Sequence, residues 1–201
     1  MNSRFEKSRF FILKRTKLGE ADLVLHALNP QGAKVSCIAR GALKSKKRFG
    51  GGVLEPTHYI EAVLRPSSKT DGLATLEEAK LLESFDKLRT SYDRLETALQ
   101  IVEIIDRVAQ SGDEHSAHLF DLLGNTMKAL ETTRSASATK AQFALKFLYR
   151  QGVLEPEGWM TAYLKTPLSE LDEKKVEPLG APQIRWIDQQ IDVYLKTAER
   201  F

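Results

Sequence analysis

The 201-residue sequence is short of what most protein chemistry relies on. It has one cysteine, Cys37, which excludes an internal disulfide framework and any multi-cysteine zinc site. Set in an apolar alternation, Cys37 reads as a small buried hydrophobe. No apolar run approaches the roughly 18 residues of a membrane span. The opening Met-Asn-Ser-Arg-Phe-Glu-Lys-Ser-Arg has no apolar core of a secretory signal, so a cytoplasmic protein is expected. Gly-x-x-x-x-Gly-Lys-Ser/Thr, Gly-x-Gly-x-x-Gly, Gly-x-Ser-x-Gly and His-Glu-x-x-His are all absent, and with them the local devices for cradling phosphate, raising a nucleophile or pairing zinc ligands. His115 and His118, beside Asp113, Glu114 and Asp121, come nearest to a metal set. They read instead as the polar start of a helix, because zinc needs three or four supported ligands. We therefore expect no enzyme, no cofactor and no metal.

What the chain has is an uneven distribution of charge. The whole carries +3, but residues 1–50 hold twelve Lys or Arg against Glu6, Glu20 and Asp22, a net +9. The other 151 residues then carry −6. An N-terminal unit of this sign attracts a polyanion, with nucleic acid the first candidate. The charge peaks between Gly32 and Gly52, where a strand-like alternation from Val35 to Ala39 opens into a loop holding Arg40, Lys44, Lys46, Lys47 and Arg48, then Phe49 and three glycines. The glycines imply conformational freedom. The loop is either a polyanion-binding element or a solvated surface with no partner. Lys14, Arg15 and Lys17 form a second basic group that a closed sheet would bring near it. Phe10, Phe11, Phe49 and Tyr59 lie close to the charge and are candidates to stack on bases. Phe10 and Phe11 are adjacent and face opposite sides of a strand, so at most one of them belongs to a core. Phe49 is either the exposed aromatic or the loop's anchor.

Strands are predicted over Phe10–Leu13, Ala21–Leu28, Val35–Ala39, His58–Leu64 and Leu73–Leu76, punctuated by Asn29-Pro-Gln-Gly32 and Pro66. Five short strands with a long loop after the third suggest a small barrel of the OB type. The period then becomes helical. Leu88, Tyr92, Leu95, Leu99, Val102 and Ile105 predict one core stripe, and a second helix spans about Ser116 to Leu130. A third runs from about Ala136 to Gln151, capped near Ser135 and closed by Gly152. Pro156, Pro167 and Pro178 break up the segment from Val153 to Ala181, and a last helix starts near Pro182. The predicted class is α+β, with a five-stranded OB-fold barrel over residues 1–82 and an α-helical domain over residues 83–201.

Lys17-Leu-Gly-Glu-Ala-Asp22, Gly32, Ala39-Arg-Gly-Ala-Leu-Lys-Ser-Lys46 with Arg48, Leu54-Glu-Pro56 and Leu73-Ala74 resemble, in order and spacing, the N-terminal half of the bacterial recombination mediator RecO family. The match covers roughly residues 8–82. Phe143-Ala-Leu-Lys-Phe-Leu-Tyr-Arg-Gln-Gly152, followed by Pro156, is a weaker similarity further on. The resemblance implies an OB-fold on a helical domain and a role in DNA repair. It also implies binding of single- and double-stranded DNA, strand annealing, work with RecR, contact with the acidic tail of single-stranded DNA-binding protein, and indirect help to RecA. The family's DNA-contacting loop corresponds here to Arg40, Lys44, Lys46 and Arg48, with Lys47 an added cation. Many members bind structural zinc through four cysteines after the positions of Gly152 and Pro156. This chain has none there and has to hold that segment without metal.

An acidic tail would seek a basic, apolar-rimmed groove on the helical domain, where Arg107, Lys140, Lys146 and Arg150 are either partner contacts or solvated helix charges. Two other readings remain open at this level, an RNA-binding OB module and a protein-interaction scaffold without enzymatic activity.

Overall fold

A computed structural model describes residues 5–67, 72–112, 116–172 and 176–198. The metal candidates Asp113, Glu114 and His115 fall outside the described residues, and among those described no group of His, Cys, Asp or Glu is arranged to hold an ion. No helix among them is long and apolar enough to cross a membrane.

Five strands, β1 (Glu6–Leu18), β2 (Asp22–Leu28), β3 (Lys34–Ala39), β4 (Tyr59–Arg65) and β5 (Ala74–Glu83), form a closed barrel in the order β1-β2-β3-β5-β4. The first half of β1 pairs with β4 and its second half with β2. One strand thus starts the sheet and closes it, leaving no free edge. A short parallel contact of β3 with β5, Cys37 opposite Ala74 and Ile38 opposite Thr75, completes the ring. Alternation along the strands sends Phe10, Ile12, Leu25, Ile60 and Leu76 into the core, each burial contributing about 1.5–3 kcal/mol. Cys37 joins them, and burial pushes its thiol up to about 12.

Two strands are longer than their sequences suggest. β5 continues past Leu76 through Glu77, Glu78, Lys80 and Glu83, whose charges break the apolar run. Only one face of a barrel strand is buried, so the outer positions accept them, and a register shift against Val63 and Leu64 leaves Glu77 as an extra position, unpaired in the ladder, beside Glu78. In β1, both Phe10 and Phe11 are buried, against the expectation that only one would be. Phe10 fills the barrel, while Phe11 lies outside it, stacked on Tyr59 at 4.8 Å between ring centroids and 5.0 Å from Phe120.

The covering segment that supplies Phe120 belongs to the barrel's compact unit, which comprises the described residues of Met1–Ser84 and Ala109–Phe120. The Lys34 amide donates to the Gln110 carbonyl at 3.0 Å. Gly32 (φ +88°) sits so close that a Cβ there would come within 2.0 Å of the Ser116 carbonyl oxygen. Asn29 shapes this turn by accepting the amides of Gln31 and Ala33 on its Oδ1.

The helical unit comprises the described residues of Phe85–Val108 and Asp121–Phe201. Its helices are α1 (Tyr92–Val108), α2 (Ala117–Thr132, whose first turn belongs to the barrel unit), α3 (Ala136–Arg150), the short α4 (Thr161–Lys165) and α5 (Ala181–Ala198). Ser135 caps α3 by accepting the Ala138 amide at 3.2 Å. On α1 the buried face is Ala98, Ile101, Val102 and Ile105, not the whole predicted stripe. Tyr92 is 77% exposed and Leu99 43%. Leu88, Val102 and Ile105 of the predicted stripe are buried and Leu95 is half-buried, so the packed face departs from it only at Tyr92 and Leu99, where Ala98 and Ile101 on the same 3.6-residue period take over.

Candidate nucleic-acid interface

The loop between β3 and β4 is a chain of turns pinned at several points. At its start the Gly41 amide (φ +66°) donates to Asp22 Oδ1 at 2.7 Å, and the Leu43 amide donates to the Ala21 carbonyl at 2.9 Å. Both bonds tie the loop to the β1–β2 turn. Lys44 N–H bonds the Gly41 carbonyl, and Ser45 Oγ accepts the Arg48 amide at 3.1 Å. The Arg48 guanidinium then reaches back to the Arg40 carbonyl at 2.7 Å and lies 5.1 Å from the centroid of the Phe49 ring. Past Phe49 the three glycines form a turn of 3₁₀ helix, in place of the free segment expected from composition.

Phe49 is the anchor. Only 5% of its surface is exposed, and it packs in the barrel core with Ala42 and Leu54 from the same loop. The expectation of an exposed base-stacking ring is therefore corrected: an aromatic carrying about 150–250 Å² of surface is better placed in an open barrel end than in water. The same correction reaches Phe10, inside the barrel, and Phe11 and Tyr59, which stack on each other. With Ala42, Phe49 and Leu54 turned in, Arg40, Lys44, Lys46, Lys47 and Arg48 are all exposed, as is Leu43 among them. The local sequence explains this. Ala42, Phe49 and Leu54 supply the apolar grip, and the cations fill the positions between them.

The second basic group divides. Across the β1–β2 ladder Arg15 lies opposite Leu25 and Lys17 opposite Leu23, whereas Lys14 lies opposite His26. Directly opposed residues share a face, so Lys14 is on the other side of the ribbon from its two companions. Arg15 Nη1 pairs with Glu55 Oε1 at 2.5 Å, which links this strand to the far end of the loop.

A third set of cations emerges only from the fold. Lys7 on β1 and Lys80 on β5 border an open groove of about 690 Å³ together with Lys47 and Arg48. Glu61, Ala62 and Val63 on β4 and Glu78 and Ala79 on β5 complete its lining, so four cations face two carboxylates, and the loop is fastened beside it by the Ala79 amide on the Arg48 carbonyl at 3.4 Å. The signal available in sequence is the Lys7-Ser8-Arg9 alternation leading into Phe10, which a β1 begun at Phe10 leaves unread.

Residues 1–85 match the family model described as Recombination protein O N terminal. The proteins named DNA repair protein RecO from Desulfosudis oleivorans and Syntrophobacter fumaroxidans are 31% and 32% identical over 143 and 148 residues, 71% and 74% of this chain. The chain belongs to the RecO family. A third relative of that name, from Rubrobacter xylanophilus, is 31% identical over 73% of the chain. The RecO-family relatives are longer, and the matched segments cover 54–57% of them.

In the helical unit of this RecO-family chain, Lys146 and Lys140, two of the four cations proposed for a partner, are engaged within the fold. Lys146 donates to the Leu164 carbonyl at 2.6 Å, and burial first, then nearby Arg150, lowers its pKa. Gln142, fully buried one turn earlier, donates to the carbonyls of Tyr163 and Thr166 at 3.0 and 2.8 Å. These two α3 side chains cap the C-terminal end of α4, whose last carbonyls lack helical partners. The Tyr163 hydroxyl bonds the Glu177 carbonyl at 2.8 Å, and Trp159 packs edge-on against Trp186. This is how the cysteine-free segment is held. Lys140 pairs with Asp188 at 3.3 Å, in a groove of about 410 Å³ that also holds Arg134, Asp93 and Glu96. Three carboxylates against two cations make this groove acidic, not the basic one expected. Arg107 and Arg150 are exposed at the ends of α1 and α3.

Proposed function

We propose that this RecO-family chain binds single- and double-stranded DNA through the loop between β3 and β4 and acts as a non-enzymatic mediator of DNA repair and recombination. One observation carries the reading: five exposed cations stand on a loop that buried Ala42, Phe49 and Leu54 anchor in the barrel and whose backbone is tied to the β1–β2 turn. Held there, Arg40, Lys44, Lys46, Lys47 and Arg48 repel one another until a polyanion lies among them. Arg15 and Lys17 extend the positive surface along β1. Two strands on such a surface lose part of their mutual repulsion, and annealing quickens. Work with RecR, contact with the acidic tail of single-stranded DNA-binding protein through Arg107 and Arg150, and assistance to RecA complete the proposed role.

Replacing Lys46, Lys47 and Arg48 by Ala is expected to reduce the salt slope of single-strand binding by about 2, at roughly 0.7 per lost phosphate contact. An unchanged slope removes the loop from the interface. Annealing of complementary strands coated with single-stranded DNA-binding protein, with and without RecR, tests the mediator role. Matched RNA that competes as well as DNA would favour an RNA-binding module.

A further inference from the structure

The outer face of the barrel carries charge that the loop does not account for. Outward positions on three adjacent strands alternate with core residues: Arg9 with Phe10, Glu61 with Ile60 and Ala62, and Lys80 with Leu81. Strand register places Arg9 directly opposite Glu61 and Glu61 directly opposite Lys80. One carboxylate therefore lies in a row between two cations that are two strand spacings apart, roughly 10 Å. Lys7 closes on the same carboxylate, Nζ to Oε1, at 2.8 Å. The Lys7 hydrogen bond, helped by Lys80 and Arg9, holds the Glu61 carboxyl below its usual range. Lys47 and Arg48 line the same groove, so this face is continuous with the loop.

We infer that the outer face of β1, β4 and β5 is a second lane for a nucleic-acid backbone, in which Lys7, Arg9 and Lys80 meet phosphates and Glu61 is a resident counter-anion that a phosphate displaces. The inference rests on the proposal that the loop binds DNA, and it adds a surface and a regulator to it. Without ligand, Glu61 relieves repulsion among three cations. With ligand, a phosphate must compete for Lys7 with a carboxylate already in place. A small free anion competes poorly. A phosphate in a strand already gripped by the loop competes at a high effective concentration. Glu61 thus favours long polyanions over isolated ones and weakens binding overall.

The test is salt-dependent binding of labelled oligothymidylate to the full chain, followed by fluorescence anisotropy. The Lys7→Ala/Lys80→Ala double variant is expected to reduce the salt slope by about 1.4, at 0.7 per contact. Glu61→Gln is expected to tighten binding about two- to fivefold, the scale of an exposed ion pair, and to steepen the slope; misfolding cannot produce a gain. Glu96→Gln, the same charge change on α1, is the control and should leave affinity unchanged. A double variant with the parent slope, while the loop variant loses its own, overturns the second lane and leaves the loop reading standing. Equal tightening by Glu96→Gln overturns the role of Glu61. No binding by the parent at low salt removes both ideas together.

Discussion

Arg48 in the barrel unit and Lys146 in the helical unit each reach a main-chain carbonyl, that of Arg40 at 2.7 Å and that of Leu164 at 2.6 Å. Around Arg48 the neighbouring cations are exposed, and the grip on the protein comes from buried Phe49, Ala42 and Leu54. Around Lys146 the cation itself makes the grip, and burial lowers its pKa. A lysine or arginine count describes both regions in the same terms. What separates them is whether an apolar residue nearby anchors the backbone and leaves the charge to solvent, or a bare carbonyl at a helix end calls the charge inward.

The largest break in this contrast should come from Phe49→Ala. Loss of a buried aromatic side chain is expected to cost about 3–5 kcal/mol, seen as a lower midpoint in thermal or urea unfolding. Because the ring anchors the cations, DNA affinity should fall together with stability. A variant of parental stability with weaker DNA binding that survives high salt would restore Phe49 as a stacking residue. Next comes Gly32→Ala, which tests whether Ala109–Phe120 is part of the barrel unit. The new methyl would enter the Ser116 carbonyl at 2.0 Å in a left-handed backbone. Together the strain and the overpacking should cost about 2–4 kcal/mol. Near-parental stability would separate that segment from the β2–β3 turn.

The barrel was legible from the sequence because strand alternation and turn residues are local signals, and three of its strands lie within a residue or so of their predicted limits. β5 was not, since Glu77, Glu78 and Lys80 are ordinary on the outer face of a closed sheet but look like the end of a strand in one dimension. Charge along the chain located the loop, but not the direction of each side chain. Phe49 and Arg48 are neighbours in sequence, one inside the barrel and one outside. Similarly, Lys146 looks like any lysine on an amphipathic helix until α4 ends beside it. Lys7 and Lys80 are 73 positions apart, and only the β1–β4–β5 register brings them to one groove.

Lys146→Met sharpens the contrast at its quiet end. Methionine keeps the length and apolar stem and removes the donor, leaving the Leu164 carbonyl without this partner. The expected loss near neutral pH is about 1 kcal/mol, because the lost hydrogen bond is partly offset by no longer desolvating a charge. The pH dependence is the more telling readout. A lysine held below its unfolded value of 10.5 binds fewer protons in the folded chain than in the unfolded one as pH rises through the folded pKa. Stability from this group therefore increases with pH across that window and levels off above the unfolded pKa. The parent should gain on the variant as unfolding midpoints are compared from neutral pH towards pH 10. Parallel midpoints would mean that Lys146 is solvated after all, and it would return to the surface cations open to an acidic partner.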